Sequence, residues 1–114
     1  MSEARSWAGP MRRVDVLVLE GCPNVEATLG AARRAITVAN VEAELRVVVV
    51  ASDEDAERHR FLGSPSVRVD GVDVDASVSG RADYGLQCRL YALAGRLACV
   101  PPPAAWITSA LLGP

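Results

Sequence analysis

Apolar residues follow changing rhythms along this chain, and each change marks an element. The first run, Val14-Asp15-Val16-Leu17-Val18-Leu19, is nearly continuous and predicts a strand over Arg13 to Leu19 buried on both faces. From Pro23 to Ala39 the spacing becomes helical, with Val25, Leu29, Ala32 and Ile36 on one face and Arg33 and Arg34 elsewhere. Pro23 suits the first helical position, and Asn40 is a plausible stop. Ala43 to Ala51 reads as a second strand, because Val47 to Val50 are all β-branched and the run is short for a helix. Ser52 caps a short helix over Asp53 to Phe61, with Asp55 completing a capping-box pattern and Asp53 and Glu54 in the first turn. Gly63-Ser64-Pro65 breaks the chain. Asp70-Gly71 then joins Ser66–Asp70 to Val72–Asp75 as a hairpin. Beyond Gly80 the pattern weakens. Tyr84 to Leu93 is compatible with a helix, but a second hairpin is preferred, Gln87–Ala92 and Arg96–Val100 turning at Ala94-Gly95. Pro101-Pro102-Pro103 ends it, and a last helix runs from Ala104 to Leu112 with Trp106, Ile107, Ala110 and Leu111 facing inward.

The order strand, helix, strand, helix, hairpin, hairpin, helix predicts an α/β domain with a mixed sheet and helices packed on it. At 114 residues the chain suits one domain, read as residues 13–112 behind a flexible tail, 1–12. All 12 basic residues are arginine, against 14 acidic ones, a balance that gives no footprint for nucleic acid or an anionic membrane. No apolar run approaches the roughly 18 residues of a membrane span. The first ten residues, with Glu3 and Arg5, lack the apolar stretch of a signal peptide. A cytoplasmic protein is therefore expected, with no membrane or nucleic-acid partner and no cofactor. Trp106 and the hairpin edges suit internal packing and a homodimer interface equally.

Chemistry concentrates at Cys22. It stands where the first strand breaks at Gly21 and the helical run opens at Pro23. A sulfur there meets unpaired backbone N–H groups and the positive end of a helix dipole, surroundings that suit a thiolate. The plain alternative is a small buried residue packing at a turn. Cys88 reads equally well as a core cysteine or as a second thiol near Cys22. Two such thiols could exchange a disulfide or clamp a thiophilic metal. Cys99, in the apolar run Ala98-Cys99-Val100, reads as core packing. His59, the only histidine, falls in a charged helix and reads as a surface residue. Asp70, Asp73 and Asp75 could suggest a cation site, but the hairpin accounts for Asp70-Gly71 and leaves Asp73 and Asp75 on an exposed strand face.

The element order, with Glu20-Gly21-Cys22-Pro23-Asn24 and Gly63-Ser64-Pro65-Ser66-Val67, resembles the thioredoxin-like fold. More narrowly, Gly-Cys-Pro-Asn, Phe61 to Pro65 and Asp83 to Arg89 are similar to segments of small bacterial thioredoxin-like proteins, some labelled alkylmercury-lyase-like. The resemblance implies a thioredoxin-like mixed sheet flanked by helices, with an extra C-terminal hairpin before the last helix. It implies a cis Ser64–Pro65 peptide that keeps a backbone edge open beside the thiol for an extended substrate. Pro23, Asn24, Ser64, Pro65 and Tyr84 would line the substrate site. The activity implied is that of a monothiol oxidoreductase or an organomercurial-lyase-like enzyme, with a small thiol, a disulfide or a thiophilic metal species as partner. In the redox version Cys22 is the nucleophile and Cys88 or an external thiol resolves it. In the lyase-like version Cys22 and Cys88 hold the metal and Asp83 is the acid. Val25 stands where dithiol members carry their second cysteine, so no vicinal resolving thiol exists. That departure keeps a second class open: a non-redox binding module, or an enzyme using the same pocket without thiol chemistry.

Overall fold

The computed structural model describes residues 11–113, so most of the expected tail lies outside the described residues. Strand β1 (Arg12–Leu19) is the centre of the molecule, and helix α1 (Val25–Ala39) returns the chain to strand β2 (Ala43–Val50), parallel to β1. Helix α2 (Asp53–His59) leads to the hairpin of β3 (Ser66–Val69) and β4 (Val72–Asp73). A short turn of 3₁₀ helix (Ala76–Val78) follows, then the ribbon of β5 (Tyr91–Leu93) and β6 (Arg96–Ala98) and helix α3 (Ala104–Leu112). The main sheet is mixed, in the order β2-β1-β3-β4, with β3 antiparallel to β1.

The alternation of β1 sorts the core. Val14, Val16 and Val18 point to one face, where they meet Leu29, Ala32 and Ala35 of α1 and Ile107 and Leu111 of α3. Leu17 points to the other, against Val50, Ala56 and Phe61. Small residues on α1, Ala31 and Ala35 among them, join Thr28 in the buried stripe, and α1 packs against α3. Both hairpin turns are as the sequence predicts: Asp70-Gly71 and Ala94-Gly95 take positive φ at both corner positions, the geometry that matches strand twist. Ser52 caps α2 by accepting from the Asp55 N–H at 3.1 Å. Arg12, read as tail, instead opens β1, ion-pairs with Asp70 and donates to the Ala110, Leu111 and Gly113 carbonyls at the end of α3.

One boundary moves where it bears on function. Helix α1 begins at Val25, not at Pro23. The Val25 N–H bonds to the Cys22 carbonyl at 3.4 Å, closing a turn over Pro23 and Asn24, and the first helical bond runs from Thr28 N to Asn24 O. Cys22 therefore lies on a turn three residues ahead of the helix rather than immediately before its first residue.

Candidate functional site

Cys22 is the one free cysteine, half-buried, packed against the core between the sheet, α1 and α3. Its N–H bonds back to the Leu19 carbonyl at 3.2 Å, so β1 fixes the turn that carries it. The same β1 end holds the proline loop: the Leu19 N–H donates to the Ser64 hydroxyl at 3.0 Å. The Ser64–Pro65 peptide is cis, as the resemblance implies. Asn24 offers no side-chain cap to α1. Its amide instead donates to the Cys99 carbonyl at 3.1 Å, tying the Cys22 turn to the end of the β5–β6 ribbon.

Cys88 and Cys99 are joined in a disulfide with their Cα atoms 5.9 Å apart. Cys88 is therefore not a free partner for Cys22 in this state, and Cys99 is not the plain core residue that its apolar run suggests. The signal was present in the sequence. A hairpin turning at Ala94-Gly95 brings residues near 88 and 99 to the same open end of one ribbon. The bond lies beside the proline loop, with the Cys99 sulfur 3.8 Å from the Ser64 carbonyl oxygen.

The edge beside Ser64 is not open. Its N–H donates to the Gln87 carbonyl at 2.8 Å, and its own carbonyl accepts from the Arg89 N–H at 2.9 Å. The chain thus pairs its own Gln87–Arg89 segment where an extended guest was expected, through a parallel bridge between Ser64 and Cys88. Gly63 makes this possible: a Cβ there would fall 2.8 Å from the Arg89 nitrogen.

Arg89 and Tyr91 lock that segment down, and neither was singled out from the sequence. Arg89 is 1 % exposed, bonds both oxygens of Asp73 at 2.9 Å, donates to the Ser66 hydroxyl and lies over the Tyr91 ring. Asp73, read as lying on an exposed strand face, is the counter-ion of a buried arginine, with Asp75 3.9 Å from the same guanidinium. The Tyr91 hydroxyl donates to the Pro65 carbonyl at 2.7 Å, and burial pushes its ionisation up from the ordinary tyrosine range.

Asp83 and Tyr84 have partners other than Cys22. Asp83 is exposed and held by Arg81 through contacts of 2.8 and 2.5 Å, and that pairing brings its carboxyl down to about 2. Such a group is ionised at neutral pH, and its pairing with Arg81 favours the charged form over the proton donor that the resemblance implies. Tyr84 lines a separate cavity with Arg60, Leu62 and Arg68. With Cys88 bonded to Cys99, Cys22 is left as the one free cysteine, so a two-thiolate metal clamp does not fit this state. Among the described residues, no cluster of three or more His, Cys, Asp or Glu is placed to hold a metal ion.

Compared with known protein families, curated proteins and solved structures, the chain matches none. No helix among the described residues is long and apolar enough to cross a membrane.

Proposed function

We propose that this chain is a thioredoxin-like thiol–disulfide exchange domain in which Cys22 is the nucleophile and Cys88–Cys99 is the resolving couple. The observation that carries this reading is the tie between the two: Cys22 sits on the turn whose Asn24 amide donates to the Cys99 carbonyl. The strand order, the cis Ser64–Pro65 peptide and the position of Cys22 after β1 support the thioredoxin-like assignment. The Cys22 thiolate attacks a small disulfide, forming a mixed disulfide and releasing one substrate thiolate. In the reduced couple, a Cys88 or Cys99 thiolate then attacks the Cys22 sulfur and releases the second. The remaining thiolate of the couple displaces Cys22. The electrons lost by the couple are those gained by the substrate, and the Cys88–Cys99 disulfide is the product state. An external thiol reduces it again. In a reducing compartment, the location that the sequence suggests, a disulfide of this kind is usually catalytic or redox-sensing.

Cystine reduction with dithiothreitol as donor tests the proposal. Wild-type protein turns over, and Cys22→Ser adds nothing to the rate of dithiothreitol alone. The Cys88→Ser/Cys99→Ser double variant, treated with cystine without dithiothreitol, accumulates the Cys22 mixed disulfide, seen by mass spectrometry. Turnover by Cys22→Ser at the wild-type rate overturns it. One observation favours a second reading, a non-redox binding module. The Ser64 backbone is already paired by Gln87 and Arg89, where a redox partner would dock. A wild-type chain inert toward cystine supports that alternative.

A further inference from the structure

Beside the β3–β4 hairpin lies a cavity of about 640 Å³ whose lining does not include Cys22. Its volume is within the range of small-molecule sites. The walls come from three places: the end of α2 with Arg60 and Leu62, the hairpin with Arg68 and Val72, and the 76–84 segment with Val78, Arg81 and Tyr84. Leu62 and Val78 are buried, which gives the cavity an apolar floor. The charge on the walls is uneven in a specific way. Arg81 is matched by Asp83, and Asp73 by Arg89. Asp75 accepts from the Ser77 N–H and hydroxyl and faces Arg89 at 3.9 Å. Among the described residues, Arg60 and Arg68 have no carboxylate within ion-pair distance.

Arg68 is the more telling of the two. Its Nη2 donates to the His59 and Arg60 carbonyls at 2.6 and 2.9 Å, which orients the guanidinium across the cavity wall. Among the described residues, Nε and Nη1 donate to no side chain or carbonyl. Burial weakens its hold on its proton, with its cross-strand neighbours Asp73 and Asp15 opposing only in part, as expected of a cation removed from water without a direct ion pair. Guanidinium groups match planar carboxylates with paired hydrogen bonds.

We propose that this cavity binds a small organic monoanion, its carboxylate held by Arg68 and Arg60 and its apolar body resting on Leu62, Val78 and Tyr84. A single negative charge fits better than a phosphate dianion, because Asp73 and Asp75 share the walls. The site is independent of Cys22 and stands whether or not the thiol is active.

Benzoate is the probe, titrated into the whole chain and followed by amide chemical shifts. Saturable shifts are expected at Gly71, Ser79, Gly80 and Tyr84, with benzylamine, the cation of similar shape, producing none. Arg68→Gln should weaken benzoate by about 10-fold, the loss of one charge-assisted pair. Arg60→Gln, at an exposed position, keeps the fold intact and should weaken it severalfold, whereas Arg33→Gln on exposed α1 surface should not change it. Absence of saturable shifts, equal response to benzylamine, or unchanged affinity in a folded Arg60→Gln and Arg68→Gln pair overturns the proposal.

Discussion

Gly63 and Arg89 show how single residues hold the proline loop. Gly63 has φ +133°, a backbone that side chains avoid, and a Cβ there would stand within 2.9 Å of three backbone atoms of Cys88 and Arg89. Backbone atoms cannot swing aside as a side chain does. Gly63→Ala should therefore lower stability by about 1–3 kcal/mol or more, read as a shift in the urea midpoint. An unchanged midpoint would show that the Gln87–Arg89 pairing with Ser64 does not hold in solution. Arg89→Ala strands Asp73 in a half-buried site and removes the cation over Tyr91. Breaking a buried pair from one side costs about 3–5 kcal/mol. A double-mutant cycle with Asp73→Asn should recover part of that loss, whereas strict additivity would argue against the pair. Cys22 was legible at this scale because local pattern alone marks a strand end followed by a helix. Arg89 was not, because its meaning depends on Asp73 sixteen positions away across a loop.

The elements themselves were largely legible. Continuous apolar runs, helical spacing and two turn dipeptides with Gly located β1, α1, β2, both hairpins and α3 close to where they lie. What local pattern could not supply was how the β5–β6 ribbon docks. Its place follows from Asn24 reaching Cys99, Tyr91 reaching Pro65 and the disulfide closing its open end. The ribbon has few other anchors, since Arg96 and Leu97 are exposed. Reduction should therefore loosen it first. The loop closed by the bond spans a sequence separation of 11, for which chain entropy gives a loss of about 3 kcal/mol on opening. Urea unfolding with and without reductant measures this. Iodoacetamide supplies the companion check, with one cysteine modified in the native chain and three after reduction and unfolding.

For the molecule as a whole, pH and the exposed sheet edge set the limits of the folded state. Tyr91 keeps its proton in the fold beyond the pH at which an unfolded tyrosine, near about 10, loses it. Its contribution is fully present below that pH and fades as pH rises toward the raised folded value, because the unfolded chain then gains by ionising. Thermal midpoints should fall above about pH 10, and Tyr91→Phe should flatten that fall. A slope unchanged by the substitution would assign it to other groups. At the opposite side of the sheet, β2 is the terminal strand among the described residues, and Val47 and Val49 stand 45 % and 51 % exposed on it. A four-valine run whose outer backbone rim has no strand partner among the described residues is a template for intermolecular β-stacking. Arg46 precedes that run but is engaged by Asp15, so its charge guards the edge less freely than a solvated residue would. Concentrated protein should therefore form thioflavin-positive fibrils seeded through β2, and Val49→Lys should delay them. The same strand that completes the fold also sets its solubility ceiling.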